Sequence, residues 1–185
     1  MSEPASDTVA DVDTIEIRPG RPSDADALLA MFDGAVRWLA ERGRAGQWGS
    51  TPWSEDEQRV ARVSGMAEHP GLVIAEVGGE VAGASIFADH PPEHIPPVTE
   101  PEVYIDLLIT SRVHTGRGVG ARLLREAREE TRRRGRSLLR VDCWAGGDGR
   151  LVAYYRGQGF TPTETFEVRG WTGQVFEDRE SFVAA

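Results

Sequence analysis

The sequence has a single cysteine, Cys143, among its 185 residues, so it cannot form an internal disulfide. A chain without disulfides is typical of a reducing compartment. No apolar run approaches the length of a membrane span, and the polar first residues lack the basic segment and apolar core of a signal peptide. We therefore expect a cytoplasmic protein that does not associate with membranes.

The sequence has fewer basic than acidic residues. It contains 21 Lys and Arg residues and 30 Asp and Glu residues, which gives a formal net charge of -9 at pH 7. Such a charge repels nucleic acids and anionic membranes and favours a small cationic substrate, although a simple need for solubility explains it equally well. We expect a small-molecule substrate and no nucleic-acid partner.

Patterns of metal ligands are missing as well. His90 and His94 lie in a proline-rich loop without a further set of ligand residues, so we predict no metal site. Cys143 has no neighbouring base and is interpreted as a small apolar packing group rather than a nucleophile. These patterns favour chemistry that needs neither a metal centre nor an activated thiol.

The segments with regular periodicity predict one mixed α/β domain over 14–185, after a polar stretch at 1–13 that we expect to be disordered. Their order is βααβββαβαββ, without an internal repeat. Predicted strands cover 14–18, 71–77, 80–88, 103–109 and 138–142, with a closing hairpin within 166–176. Ser54 and Glu57 predict a capping box that begins the second helix.

A glycine-rich segment follows the predicted strand 103–109 and begins a strongly periodic helix. Gly116, Gly118 and Gly120 let the backbone approach a ligand closely. The N–H groups at the start of the following helix, together with its dipole, suit a phosphate group. Arg117 adds positive charge. We interpret the segment as a pyrophosphate-binding loop.

Sequence context excludes two common phosphate loops. No Gly-Lys-Ser/Thr follows the glycines, which excludes a P-loop. Gly116-x-Gly118-x-x-Ala121 does match the dinucleotide-binding pattern, and Asp142 ends the next apolar run, where a ribose-binding acid would lie. However, residues 110–115 separate the strand from the first glycine, and the chain after Asp142 is too short for a doubly wound sheet.

The segment instead resembles the acetyl-CoA signature of the GNAT superfamily of N-acetyltransferases, Gln/Arg-x-x-Gly-x-Gly/Ala, at residues 115–120. Thr115 stands where Gln or Arg is usual. Residues 151–160 resemble the family's Tyr-x-x-x-Gly-Phe segment, in which Tyr155 is the tyrosine, and Asp148 stands where Asn is frequent. The two matches follow the family's order and spacing.

The resemblance implies a GNAT-like α/β fold. Its sheet is mixed but mostly antiparallel, is flanked by about four helices, and contains one splayed pair of strands. Backbone N–H groups freed by the splay would polarise the thioester of acetyl-CoA. The implied cofactor-binding residues are Leu108, Ile109, Thr115, Gly116, Arg117, Gly118, Val119, Gly120 and Ala121.

The resemblance also implies direct transfer of an acetyl group to a primary amine in a ternary complex. Tyr155 is the candidate acid for the leaving thiolate, with an ordinary core tyrosine as the alternative. Strand alternation places a run of residues on one face of the sheet: Glu102, Tyr104, Asp106 and Leu108. Asp106 and Glu102 are candidates for binding the ammonium group or taking its proton, directly or through water. The alternative is a pair of ion-paired structural acids.

Aromatic residues are candidates for the substrate site. Trp48 and Trp53 lie where the resembled fold places its substrate-covering elements, although they could equally pack a loop against the core. Tyr104 lies between the two acids of the strand, and Trp144 follows the fifth predicted strand. We expect both to line the same cleft as Trp48.

Two functions from different classes stay open at this point. Tyr155 and the acidic strand face favour an acetyltransferase, whereas the departures at Thr115 and Asp148 leave room for a non-catalytic acyl-CoA sensor or regulatory module. The sequence does not specify the amine, which could belong to a small antibiotic, a polyamine, an amino-acid derivative or a protein N-terminus. It also leaves open the oligomeric state, with a homodimer as one option.

Overall fold

The computed structural model describes residues 14–43, 48–168 and 170–182, and the predicted disorder of 1–13 lies outside them. The elements of these residues follow the predicted order βααβββαβαββ. The helices are α1 (Ala25–Ala40), α2 (Glu57–Ala67), α3 (Val119–Arg133) and α4 (Arg150–Gly157). The strands are β1 (Ile15–Pro19), β2 (Leu72–Val77), β3 (Glu80–Ala88), β4 (Val103–Thr110), β5 (Leu139–Trp144), β6 (Thr161–Val168) and β7 (Trp171–Asp178).

The strands form one seven-stranded sheet in the order β1-β2-β3-β4-β5-β7-β6. Within it, β4 and β5 run parallel, and the other neighbouring strands run antiparallel. The expected fold class, a mixed and mostly antiparallel sheet with four α-helices, is confirmed. None of the helices in the described residues combines the length and apolar character needed to cross a membrane.

The parallel pair separates soon after it begins. β4 and β5 are in register only from Val103–Leu139 to Ile105–Val141. Beyond these positions β4 stays paired with β3 up to Thr110, and β5 stays paired with β7 up to its end. A V-shaped opening, here called the strand gap, therefore lies between residues 106–110 of β4 and 142–144 of β5. This is the expected splayed pair.

A bulge in β4 lies where the strand gap begins. On β3, Ile86 pairs with Leu107 and Phe87 pairs with Ile105, so Asp106 has no partner. An unpaired residue of this kind bends the strand and interrupts the alternation of side chains between the two faces.

The bulge redistributes the side chains of β4 between the two faces. Val103 and Ile105 pack into the core cluster under α3 and α4, whereas Leu107 and Ile109 pack into the cluster under α1 and α2. Leu108 packs on the α3 side. The prediction that these alternate residues keep one face along the whole strand is therefore wrong beyond the bulge.

The second helix illustrates a local correction. α2 begins as expected, but its N-cap is Asp56, whose carboxylate accepts from the N–H groups of Gln58 and Arg59 at 2.9 and 3.2 Å. The hydroxyl of Ser54 instead donates to Asp33 on α1 at 2.6 Å. The predicted capping box was therefore wrong, because Ser54 is held by a residue distant in sequence.

Helix α3 lies directly on the sheet next to the end of β4. A Cβ atom built on Gly83 of β3 would lie 2.7 Å from Cγ1 of Val119 and 3.1 Å from the carbonyl oxygen of Ile109. Real Cβ atoms do not approach carbon so closely, and a glycine is therefore required here. The first turn of α3 is thus fixed against the sheet beside the strand gap.

Replacing Gly83 with valine should lower the free energy of unfolding by about 1–3 kcal/mol, as overpacking does in other cores. Gly34→Ala is the control, because Gly34 lies inside α1 with no atom within 4 Å of a built Cβ. It should raise stability by about 0.5–1 kcal/mol. Urea denaturation measures both, and a Gly83→Val protein as stable as the wild type would show that α3 can move away from the sheet.

Candidate functional site

The glycine-rich segment joins the end of β4 to the start of α3. Gly116 and Gly118 have φ angles of 83° and 79°, in the left-handed region that favours glycine. Gly118 is the N-cap of α3, and the helix begins without a side-chain cap. The N–H groups of its first turn can therefore bind an anion, as expected for a pyrophosphate-binding loop.

The side chains of this loop are partly used by the protein itself. The hydroxyl of Thr115 donates to the carbonyl oxygen of Arg112 at 2.8 Å. Arg122 lies 3.1 Å from Glu126 on the next turn of α3, whereas Arg117 is exposed. His114 is buried, and its Nδ1 atom has no partner in the described part of the chain. The loop thus offers backbone donors more than side-chain donors.

Only one of the two N–H groups expected to polarise a thioester is directed at the strand gap. The N–H group of Ser111 donates to Ala82 of β3 at 2.8 Å. Because N–H directions alternate along a strand, the N–H of Ile109 also points toward β3, where this residue pairs with Ala84. The N–H of Leu108 points to the other side, into the gap. Leu108 is therefore the better placed donor.

Tyr155 of α4 lies in the core on the α3 side of the sheet. Its side chain is 4% exposed, and its ring lies 5.9 Å from Phe160 and 5.4 Å from Phe176. Burial, with a smaller effect of the neighbouring Cys143, raises the pKa of its hydroxyl above the usual value. The phenol therefore stays protonated at neutral pH, as a proton donor must.

Tyr154, the residue before it, was not assigned to the site from the sequence. A Cβ atom built on Gly120 would lie 2.6 Å from the hydroxyl of Tyr154 and 3.8 Å from Cγ2 of Thr110. The Tyr154 hydroxyl therefore lies over the first turn of α3, beside the end of β4. The only sequence signal for this contact is a second tyrosine in the α4 motif.

Cys143 lies beside Tyr155 in the same core cluster. Burial, and next the nearby charge of Asp142, raise the pKa of its thiol to about 12. Because the thiolate is the nucleophilic form, this residue is inert at neutral pH. Its geometry agrees with the interpretation of Cys143 as a packing group.

Two carboxylates lie where the strand gap begins, one on each strand. Asp106 follows Ile105 and Asp142 follows Val141, the last residues of β4 and β5 that pair with each other. Asp106 is exposed, whereas Asp142 is half-buried. In the sequence, Asp142 matched only the position of a ribose-binding acid. Its position directly after a buried run, like that of Asp106, was the available signal.

Asp142 is bound by Tyr104. The Tyr104 hydroxyl donates to Oδ1 of Asp142 at 2.5 Å, and the tyrosine is fully buried. Burial raises the pKa of Asp142 above the usual range, although the hydrogen bond from Tyr104 and the proximity of His94 oppose this shift. Burial and the neighbouring Asp142 raise the pKa of Tyr104 as well. Tyr104 therefore acts as a donor to a carboxylate of increased basicity.

Glu102 lies in a buried ion pair rather than free in a cleft. Oε2 of Glu102 accepts from Nε of Arg140 at 2.7 Å, and Oε1 accepts from Nη2 at 3.1 Å. Nη2 also donates to the carbonyl oxygen of Pro96 at 3.0 Å. The two side chains are 4% and 2% exposed. Because both carboxylate oxygens are occupied, this geometry favours the structural alternative for Glu102 over proton transfer.

The tryptophans divide between two places. Trp53 is buried and stacks on Phe32 of α1 at a centroid distance of 4.0 Å, and Trp48 packs on the same ring at 5.4 Å. Trp144 is the last residue of β5, and a Cβ atom built on Gly146 would lie 2.5 Å from its ring. No ring contact in the described residues joins Trp48 to Tyr104 or Trp144. The packing alternative accounts for Trp53, and Trp48 lies beside it.

Replacing Glu102 with glutamine should lower the free energy of unfolding by up to about 3–5 kcal/mol. It removes the buried carboxylate that pairs with Arg140 and leaves only the half-exposed Glu164, 3.7 Å from Nη1. The control is Glu100→Gln, which breaks a partly exposed pair with Arg179 and should cost about 1 kcal/mol or less. Thermal and urea unfolding measure both. A Glu102→Gln protein of normal stability but lower turnover would return Glu102 to the catalytic candidates.

The sequence and the fold both match a known family. The sequence model of the acetyltransferase (GNAT) family matches residues 34–160. The uncharacterized N-acetyltransferase YesJ of Bacillus subtilis (strain 168) is 25% identical to the chain over 147 residues, which are 77% of this chain and 79% of YesJ.

Solved structures share the architecture. A GNAT-family acetyltransferase from Listeria monocytogenes superposes with a TM-score of 0.66 at 21% identity, over 89% of this chain and 94% of its own. YncA of Salmonella typhimurium, solved with its cofactor acetyl-CoA, gives a TM-score of 0.60 at 20% identity, over 93% and 97%. Identities this low show the shared fold alone. The family match spans the strand gap, the glycine-rich loop and Tyr155, and the chain belongs to the GNAT family of acetyltransferases.

Proposed function

We propose that this acetyltransferase moves an acetyl group from acetyl-CoA directly to a primary amine of a small, cationic acceptor. One observation carries the proposal. A gap between two parallel strands lies beside an uncapped helix N-terminus, with a glycine loop between them. This arrangement offers an elongated thioester a channel for its acyl end and backbone donors for its phosphates.

In this proposal the loop residues 115–121 bind the pyrophosphate through the N–H groups at the start of α3. The pantetheine chain lies in the strand gap, and the N–H of Leu108 donates to the thioester oxygen as negative charge develops there. A donor that is already aligned with the developing oxyanion is worth roughly 3–4 kcal/mol in other acyl-transfer sites. The Tyr154 hydroxyl, beside Gly120, would contact the cofactor near its phosphates.

The chemistry then needs a neutral amine and a protonated leaving group. The amine nitrogen attacks the carbonyl carbon, the C–N bond forms, and the C–S bond breaks as the tetrahedral intermediate collapses. Tyr155, protonated at neutral pH, gives its proton to the thiolate. The raised pKa of Cys143 supports a direct transfer, because it disfavours the thiolate form that would carry the acetyl group.

The acidic edge of the gap supports a cationic acceptor. Asp106 is exposed at the start of the gap, and the whole chain carries a net charge of -9. An exposed carboxylate next to the reacting thioester attracts an ammonium group and orients it. Trp48 and Trp144 remain candidates for contacts with the rest of the acceptor.

Replacing Gly118 with valine should raise the Kd for acetyl-CoA about tenfold or more, which corresponds to a loss of at least about 1.4 kcal/mol of binding free energy. A branched residue at a φ of 79° distorts the loop and misaligns the N–H groups of the first turn of α3. Gly135→Val is the matched control. Gly135 lies at the other end of α3 and has a φ of 63°. At both Gly118 and Gly135, a built Cβ would have no atom within 4 Å apart from those of its chain neighbours. Both variants should lose similar stability, but calorimetry should show weaker binding only for Gly118→Val.

Replacing Tyr155 with phenylalanine should leave acetyl-CoA affinity unchanged and lower kcat roughly 10²-fold, as is typical when a general acid is lost. Tyr154→Phe removes the neighbouring hydroxyl and should mainly raise the KM for acetyl-CoA. A thiol-trapping reagent measures CoA release. Four classes of amine are tested as acceptors: an arylalkylamine, a polyamine, an amino-acid amide and a peptide N-terminus. The reverse pattern would transfer the acid role to Tyr154. CoA release that no amine accelerates would contradict the proposed transfer itself.

A further inference from the structure

We propose that Asp142, held in place by Tyr104, removes the proton from the ammonium group of the acceptor, while Asp106 attracts the cation. This inference rests on the proposed function and assigns the base of the reaction to a residue of β5. Asp106 and Asp142 both lie at the start of the strand gap, but they differ in exposure and in partners. These differences separate their roles.

The position of Asp142 places it opposite the acid. Along β5, Val141 and Cys143 pack into the core cluster that contains Tyr155, on the side of α3 and α4. Because side chains alternate along a strand, Asp142 points to the other face, where it meets Tyr104. The acid and the proposed base thus lie on opposite sides of β5, next to the gap that would hold the thioester.

Tyr104 fixes the carboxylate in one orientation. Its hydroxyl occupies Oδ1 of Asp142, and its ring is enclosed by Ile95 and Val175. Besides the Tyr104 hydroxyl, the carboxyl group of Asp142 accepts from its own backbone N–H. Each carboxylate oxygen can accept more than one hydrogen bond, so the group can still take an ammonium proton. A half-buried carboxylate held in one orientation by a hydrogen bond is a positioned proton acceptor, whereas Asp106 is exposed to solvent.

The groups around Asp142 determine its basicity. Tyr104 and Asp106 face it from β4, and His94 faces it from the proline-rich loop. Two residues before Asp142 on β5, the guanidinium carbon of Arg140 lies 5.7 Å from the centre of the Tyr104 ring. Burial and Asp106 raise the pKa of Asp142, whereas the Tyr104 hydrogen bond and His94 lower it. The net shift is upward, so Asp142 holds a proton more strongly than an ordinary aspartate.

Asp142 and Tyr155 together account for every proton that moves in the reaction. One N–H bond of R–NH₃⁺ breaks, its proton goes to Asp142, and the neutral amine attacks the thioester carbon. When the intermediate collapses, Tyr155 gives its proton to the sulfur, and a second proton leaves the nitrogen to restore the Tyr155 phenol. Asp142 then releases its proton to water. The products are the amide, CoA thiol and one proton.

The first experiment follows the carboxyl carbons by ¹³C NMR as a function of pH in the enzyme without ligands. Asp142 should titrate at higher pH than an ordinary aspartate. Tyr104→Phe should move the Asp142 titration further upward, because the lost hydrogen bond stabilised the ionised form. An Asp142 that titrates like an exposed aspartate, or that ignores Tyr104→Phe, would overturn the inference without any substrate being known.

The second experiment compares Asp142→Asn with Asp106→Asn, the same chemical change on the two strands. The probes are 2-phenylethylamine and its less basic β,β-difluoro analogue, whose neutral form is more abundant at pH 7. Asp142→Asn should lower kcat roughly 10²-fold for the parent amine, and by much less for the analogue. Its kcat/KM should keep rising with pH, because the neutral amine must now come from solution. Asp106→Asn should mainly raise KM, and added salt should weaken this effect.

The outcomes separate the inference from the proposed function. Calorimetry that detects no acetyl-CoA binding, or CoA release that no amine of the four-class panel accelerates, would contradict the proposed function, whereas the NMR titration would still decide the state of Asp142. Amine-dependent CoA release with an unchanged pH profile in Asp142→Asn would overturn the inference alone. Equal losses for both amines would assign Asp142 a structural role and also overturn it.

Discussion

The short pairing between β4 and β5 is the constraint on which the rest of the structure depends. These strands share only three register positions, from Val103–Leu139 to Ile105–Val141. Each strand keeps its hydrogen bonds on the opposite side, to β3 and to β7, so the sheet stays intact while its centre opens. Unpaired backbone groups would normally be costly in a buried sheet. Here they line the gap and are available to a ligand.

The closed end of the gap is held by a buried ion pair. Glu102 directly precedes the first paired residue of β4, and Arg140 is in register with Tyr104. Arg140 also binds the carbonyl oxygen of Pro96, which fixes the proline-rich loop over Tyr104. Where the gap begins, the unpaired Asp106 bends β4. The ion pair and the bulge together determine where the strands separate and which carboxylates remain free.

The two faces of the sheet then differ in chemistry. On the side of α3 and α4, Tyr155 and Cys143 lie in an apolar cluster that keeps both in their protonated forms. On the other face, Asp142 lies beside Tyr104, and Asp106 lies near both at the bulge. The proposed proton donor on one side and the proposed proton acceptor, Asp142, on the other suit a reaction that moves protons to sulfur and away from nitrogen.

The sequence by itself determined the order of the elements, the glycine-rich loop and the motif around Tyr155. These features are local, since periodicity, glycine placement and helix starts are set by neighbouring residues. The tertiary structure alone decided the bulge at Asp106, the Glu102–Arg140 pair and the Tyr104–Asp142 hydrogen bond. Each of these joins elements far apart in the chain, and a single unpaired residue reverses the face of every side chain that follows it. For that reason alternation along β4 predicted the acidic strand but not the partner of each acid.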